Sequence, residues 1–425
     1  MSAVQPSQLM LTFKQYLDSV HITIHLNPES AAMAYAAGSA LTVGVALLVE
    51  LVIIIHGLPR GSQRTRPPGA SGMPLVSVIV PTYRDGERLV RVVRSLLAQD
   101  YPGDLYEVIV AGEVDDPTLP GALARLGLPP EDGSSAVVSG VRVRVSLSPR
   151  ARGKPAALDR ALALARGEVI GVMDSDGVAP RDAISRAVAA LLSGYEAAQL
   201  PRELAVPVDA RRGLTKAYVR AQAAEMRLYN RVLAPALMGF TGSAWLTGSG
   251  YFVWRVTLEG LGGWNPFAPT EDLDLSVRLL SSGGRIAFLG GAPIVEEPLT
   301  SLRAMIRQKE RWVRGSLLAT LTAIRGVRRT WPLLLFFIMP AWGYLMTPWV
   351  ALLAIAGLNP QLLTWTLAWS SAWLAPILAY YALALRRGGR TVRPLPAAIG
   401  VYLLAGMLAL PKLALRRNDW TGSRT

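Results

Sequence analysis

Ala31 to Ile55 is almost wholly apolar. As a helix this run would reach about 37 Å, enough to cross the hydrocarbon core of a bilayer. Glu50 is its exception and lies near one end, where a carboxylate can snorkel to the interface. The run is too long and starts too late for a cleaved signal peptide. Three more apolar runs, Pro332 to Gly357, Gln361 to Leu385 and Pro394 to Leu413, lie at the far end of the chain. Between the first run and the others, about 270 residues carry ordinary globular patterning. The expected plan is an N-terminal segment (1–30), a transmembrane helix (31–56), a Pro/Gly/Ser-rich linker (57–73), a globular domain (74–300), an interfacial helix (301–330), a membrane bundle (332–413) and a tail (414–425).

Composition agrees with this plan. Charged residues make up 17% and hydrophobic residues 51% of the 425, where a soluble domain carries about 25% charged residues. A disordered chain would be poorer in apolar residues, and with no cysteine a disulfide scaffold or Cys-ligated zinc site is excluded. The formal charge of +14 admits nucleic acid, an anionic membrane face or a phosphate-rich ligand, and basic residues beside the membrane runs account for part of it. Arg60, Arg64 and Arg66 on one side and Arg325, Arg328 and Arg329 on the other flank the globular region, which is therefore expected to be cytoplasmic. Arg386, Arg387, Arg390 and Arg393 agree. Lys412, Arg416 and Arg417 would fall outside if all four runs span, so the last run, with Pro394, Pro396 and Pro411, is open to a re-entrant reading.

All three histidines lie at or before His56. A downstream active site must work with carboxylates. Leu75–Val80, Tyr106–Val110 and Val169–Met173 read as strands buried on both faces. Glu87–Gln99 and Pro155–Arg166 read as helices between them, and Val141–Leu147 as a short alternating strand. This alternation predicts an α/β fold with a parallel sheet, whose ligands bind beyond the C-terminal strand ends. Asp85, Asp115, Asp116, Asp174 and Asp176 all fall there.

Asp174-Ser175-Asp176 places two carboxylates at a strand end, a hard-oxygen pair suited to Mg²⁺ or Mn²⁺. Alone, it is equally a loop start built from aspartate turn chemistry. Lys154 precedes a helix that begins at Pro155, a suitable anion site. Thr270-Glu271-Asp272 opens another helix: Thr270 suits the N-cap, and the two acids suit the first turn. Asp272 in that place could act as a general base. In Gln308-Lys309-Glu310-Arg311-Trp312, helical spacing puts Gln308, Arg311 and Trp312 on one face of an Arg-rich amphipathic stretch, Leu302 to Arg329, which also suits an interfacial helix.

Taken in order, these motifs resemble the membrane-integrated family-2 glycosyltransferases, which include cellulose, hyaluronan and poly-N-acetylglucosamine synthases and ceramide glucosyltransferase. Their D, D, D, QxxRW signature corresponds here to Asp115/Asp116, Asp174-Ser175-Asp176, Thr270-Glu271-Asp272 and Gln308–Trp312. Val78–Tyr83, Gln99–Pro102, Gly153-Lys154 and Thr247–Gly250 match as well, and the resemblance runs from about Pro74 to Gly315. It implies a GT-A (Rossmann-like) cytoplasmic domain with one N-terminal and about three C-terminal transmembrane helices plus interfacial helices. By the same resemblance Thr82, Tyr83, Asp85 and Asp116 (or Asp115) line the nucleotide pocket, and Lys154 lies near phosphate or sugar. Asp174 and Asp176 hold the metal, Asp272 is the base with Glu271 nearby, and Gln308, Arg311 and Trp312 border acceptor and diphosphate. Two departures stand out. Glu113-Val114-Asp115-Asp116-Pro117 replaces the usual Asp-Asp-Gly-Ser, so Glu113 could fill the first carboxylate's place. Asp159 stands where an Asn is usual, which puts that helix's contact in question.

The implied reaction is inverting transfer from a nucleotide sugar, expected to be UDP-linked, with Mg²⁺ or Mn²⁺ and no covalent intermediate. The expected acceptor is a membrane lipid or lipid-linked hydroxyl, in an integral plasma-membrane enzyme that binds no nucleic acid. A processive polysaccharide synthase and a catalytically dead membrane scaffold are the alternatives. A transporter fits poorly because paired intramembrane charges are lacking.

Overall fold

The computed structural model describes residues 48–49, 51–57, 72–149, 153–206 and 213–335, with 341, 348, 352, 401 and 404–409; side chains in the third long segment are described from residue 216. The expected membrane runs, most of the linker and the tail fall wholly or largely outside the described residues. Among the described residues no helix is long and apolar enough to cross a membrane.

The β-branched runs form strands. β1 (Val76–Pro81) has every residue buried and leads into helix α1 (Gly86–Leu96). β2 (Tyr106–Glu113) is also fully buried and is followed by the short helix α2 (Leu119–Arg125). β3 (Ser135–Val138) and β4 (Val141–Ser148) form a hairpin. Helix α3 (Lys154–Leu164) packs on β1, β2 and β4 and delivers the chain to the buried β5 (Val169–Val172). Next come β6 (Gly177–Val178), α4 (Ala183–Leu192), β7 (Ala197–Gln199) and β8 (Arg202–Leu204). A long helix follows as α5 (Gly213–Leu228), a π-helical turn (Tyr229–Leu233) and α6 (Ala234–Thr241). β9 (Tyr251–Trp254), α7 (Arg255–Gly260), α8 (Glu271–Ser281), β10 (Ile286–Phe288) and β11 (Ile294–Glu296) complete the α/β body. α9 (Leu302–Leu318), α10 (Thr320–Arg325) and α11 (Val327–Leu333) lie beside α8.

The main sheet has the order β10-β7-β9-β5-β1-β2-β4-β3, and a small sheet has the order β6-β11-β8. β1 lies between β2 and β5, all parallel, so the chain leaves these three strands on one edge. The expectation of a parallel sheet needs correction: the sheet is mixed, because β9 runs antiparallel to both β5 and β7, and β3 runs antiparallel to β4. The pairing of β9 relies on Gly171. A Cβ there would stand 2.5 Å from the Phe252 ring, so the bare backbone of β5 lets β9 dock. The stretch Leu302 to Arg329 also differs from a single helix. It breaks at Ala319 and Gly326 into three.

Candidate active site

Three loops converge where β5, β1 and β2 end. The loop after β1 turns at Arg84, whose φ of 55° is held by a hydrogen bond from the Arg84 N–H to Asp116 Oδ2 at 2.6 Å. The other Asp116 oxygen accepts from the Thr118 N–H (2.8 Å) and Thr118 Oγ (2.7 Å). Asp116 is thus buried at 2% exposure and engaged in shaping two loops, while Asp115 is exposed. Glu113, also buried, receives the Gly153 N–H, and its Oε2 has no hydrogen-bond partner among the described residues. Burial raises its pKa, and Asp115 and Asp116 add to the effect. Thr82 Oγ is another buried oxygen here without a hydrogen-bond partner among the described residues. Tyr83 is half-buried, with the Arg84 guanidinium 5.1 Å from its ring centre.

Asp85 reaches the next loop. Its Oδ2 accepts from Ser175 Oγ, the middle residue of Asp174-Ser175-Asp176, at 2.8 Å, and its Oδ1 pairs with Arg88 at 2.5 Å. Asp174 and Asp176 are both half-buried at the end of β5. Among the described residues no three His, Asp or Glu side chains gather closely enough to hold a metal alone. Two hard carboxylate oxygens at a strand end nevertheless suit a divalent ion that takes its other ligands from substrate phosphate and water.

Lys154, the first residue of α3, joins this loop to α8. Its Nζ lies 2.8 Å from Asp174 Oδ1, 2.7 Å from Glu271 Oε1 and 2.7 Å from the Gly248 carbonyl oxygen. Burial would strip its proton, but the charges of Asp174 and Glu271 prevail and raise its pKa. Glu271, 2% exposed, is therefore a buried ion-pair partner of Lys154. Asp272 differs: it is half-buried, with Oδ1 accepting the Leu273 N–H at 2.9 Å. Burial, then the negative Glu271, pushes its pKa up to about 6, while Lys154, the Leu273 N–H and Arg311 hold it from rising further. A carboxylate poised there can accept a proton near neutral pH. Thr270 takes the N-cap position but makes no side-chain cap bond.

The Thr247–Gly250 loop closes the site. Gln199 holds it from the end of β7, donating to the Ser249 carbonyl (2.8 Å) and accepting the Thr247 N–H (2.8 Å). Ser249 Oγ accepts the Asp174 N–H at 3.0 Å. Gly248 has φ +84°, and a Cβ there would stand 3.1 Å from Asp272 Oδ2, so glycine keeps this carboxylate uncovered. On α9, Gln308, Arg311 and Trp312 are all half-buried, whereas Lys309 and Glu310 turn inward. Arg311 Nη1 donates to the Pro269 carbonyl at 2.8 Å, just before Thr270. Lys309 pairs with Glu225 of α5 at 2.6 Å and sits 3.7 Å from the Trp312 ring centre.

Several residues here escape sequence reading. Arg202 grips Glu296 through two bonds (2.7 and 2.6 Å), donates to the Thr247 carbonyl, and sends its charge toward Asp174 and Asp176. Its backbone N–H bonds Asn230 Oδ1 at 2.9 Å, from the π-helical turn. β8 and β11 are three residues each, too short for periodicity to mark them. Asp159 makes its helix's contact after all: its Oδ1 accepts the Trp264 N–H at 3.1 Å.

Residues 74–315, more than half of the chain, match the family described as "Glycosyltransferase like family 2". The chain belongs to that family. It is a family-2 glycosyltransferase with an α/β, GT-A-like fold. It is similar to the beta-monoglucosyldiacylglycerol synthase of Synechocystis sp., 28% identical over 300 residues, covering 70% of this chain and 58% of that protein. The protein of the same name from Trichormus variabilis is 26% identical over 327 residues, covering 74% and 64%. The chain thus spans about three-fifths of the length of these relatives. Among solved structures, the mannosyltransferase PcManGT from Pyrobaculum calidifontis, in complex with GDP-Man and Mn²⁺, superposes with a TM-score of 0.55 at 22% identity, covering 89% of this chain and 97% of that one. That likeness concerns the fold.

Proposed function

We propose that this glycosyltransferase moves a sugar, with inversion, from a UDP-linked sugar nucleotide to a hydroxyl of a membrane lipid of the diacylglycerol class, at the cytoplasmic membrane face. The similarity to two beta-monoglucosyldiacylglycerol synthases supports the acceptor. A β-linked product is the stereochemistry that one direct displacement gives from an α-linked donor. The arginines flanking the globular region support the cytoplasmic placement.

One observation carries the chemistry: Lys154 pairs with Asp174 and Glu271, whereas Asp272 stays half-buried with its pKa pushed up to about 6. Asp272 takes the proton of the acceptor hydroxyl while its oxygen attacks the anomeric carbon. The new carbon–oxygen bond forms as the bond to the diphosphate oxygen breaks, and the nucleoside diphosphate departs. Lys154 holds Glu271 in place through their ion pair. Arg311 steadies the loop that leads into Asp272. Glu113 Oε2 and Thr82 Oγ, both buried and unpartnered among the described residues, suit the hydrogen-bonding edge of the base, and Tyr83 offers a ring beside it. Asp116 and Asp85 act on this pocket through the loops they hold. Asp174 and Asp176 would hold Mg²⁺ or Mn²⁺, which when bound offsets the charge of the leaving diphosphate. Gln308 and Trp312 border the acceptor entrance.

The test is product analysis. Purified full-length protein, incubated with a panel of UDP- and GDP-sugars, Mn²⁺ and phosphatidylcholine vesicles containing diacylglycerol, should yield a short, organic-extractable β-glycolipid. A high-mass, water-soluble product degraded by glycosidases would overturn the lipid acceptor in favour of polysaccharide synthesis.

A further inference from the structure

The segment from α9, which carries Gln308, Arg311 and Trp312, to α11 meets α8 at two glycines, Gly315 within α9 and Gly326 between α10 and α11. At Gly315, an added Cβ would lie 2.1 Å from Thr270 Oγ, 2.7 Å from its Cγ2 and 2.8 Å from its Cβ. At Gly326, it would lie 2.2 Å from Ser281 Oγ and 2.8 Å from Ser281 Cβ. Thr270 immediately precedes α8 and Ser281 is its last residue. The segment from α9 to α11 is therefore laid along α8 with one side-chain-free contact at each end. The two ends differ in what lies next to them. The Thr270 end carries Glu271 and Asp272, and Arg311, one turn before Gly315, bonds the Pro269 carbonyl. The Ser281 end is ten residues, nearly three turns, away from Glu271.

We propose that Gly315 is a positioning residue for transfer: its missing side chain seats α9 against Thr270 and thereby fixes the distance between the Gln308/Arg311/Trp312 face and Asp272. Thr270 is buried and its hydroxyl makes no cap bond, so its side chain serves as the surface that Gly315 rests on. Neither helix can yield cheaply there. Gly315 lies among buried residues of α9, and the atoms it would meet belong to a short β-branched side chain fixed at the start of α8. An alanine at 315 therefore separates the two elements by a fraction of an ångström to an ångström. A displacement of about 1 Å at a reacting centre can cost about 10²-fold in rate.

The inference rests on Asp272 as the base, and its test separates the two. Release of nucleoside diphosphate is measured for the full-length protein with an acceptor the unaltered enzyme uses, together with thermal stability and sugar-nucleotide binding. Gly315→Ala should lower kcat by about 10²-fold with KM for the sugar nucleotide unchanged. Gly326→Ala creates the same kind of overlap far from Asp272, so it should lower stability and leave kcat near normal. Adding Thr270→Ala to Gly315→Ala removes the atoms in conflict and should restore most of kcat. If Gly315→Ala does not fold, Thr270→Leu crowds the same contact from the α8 side and should reproduce the selective loss. Full kcat in Gly315→Ala, or in Thr270→Leu where it stands in, overturns the inference. So does equal loss in Gly315→Ala and Gly326→Ala, or no recovery in the double variant. An unaltered enzyme inactive on diacylglycerol counts against the acceptor reading, which the comparison among variants does not need.

Discussion

Glu271 and Asp272 are adjacent carboxylates with opposite fates. The first lies 2.7 Å from an ammonium and is buried; the second faces the site with its pKa pushed up to about 6. A base must be deprotonated, so kcat/KM should rise with pH through about 6 and level off above it. Glu271→Gln removes a negative neighbour that raises the pKa of Asp272, so the rising limb should move to lower pH. A profile that stays put would exclude coupling between them. Sequence placed both acids in the first turn of a helix and read Asp272 as the base, but it did not show the ion pair that occupies Glu271. That depends on Lys154, far away in the chain. The same is true of Asp116, whose position after β2 is legible while its bonds to Arg84 and Thr118 are not.

At the scale of elements, the three buried strands and the carboxylates at their ends are readable because continuous β-branched runs and the punctuation after them are local signals. The antiparallel β9 is not, since its docking depends on Gly171 admitting Phe252. The small sheet is equally silent in sequence, though it brings Arg202 and Glu296 beside the Asp174 loop. Arg202→Met leaves Glu296 buried without its cation, and breaking one partner of such a pair costs about 3–5 kcal/mol. Thermal denaturation should show a large loss for Arg202→Met. Glu296→Leu added to it should recover much of the stability, because the uncompensated charge is then gone. No recovery would mean that Arg202 matters through Thr247 instead.

Across the whole molecule, Leu318, Leu321, Ile324 and Val327 recur every three residues along α9 to α11 and stay exposed, Leu321 at 71%, with Arg325 and Arg328 beside them. An apolar stripe edged with arginine suits the boundary between headgroups and acyl chains. Leu321→Asp with Ile324→Asp should raise KM for a diacylglycerol acceptor in vesicles and leave sugar-nucleotide binding unchanged. Unaltered vesicle kinetics would argue against this stripe meeting lipid. The central claim is that Asp272 takes the acceptor's proton. Its most direct test is Asp272→Asn, assayed for transfer and, by calorimetry, for sugar-nucleotide binding. Transfer should fall about 10²–10⁴-fold, the usual contribution of a general base, with binding intact. Retained transfer, or loss of binding in its place, would contradict the account.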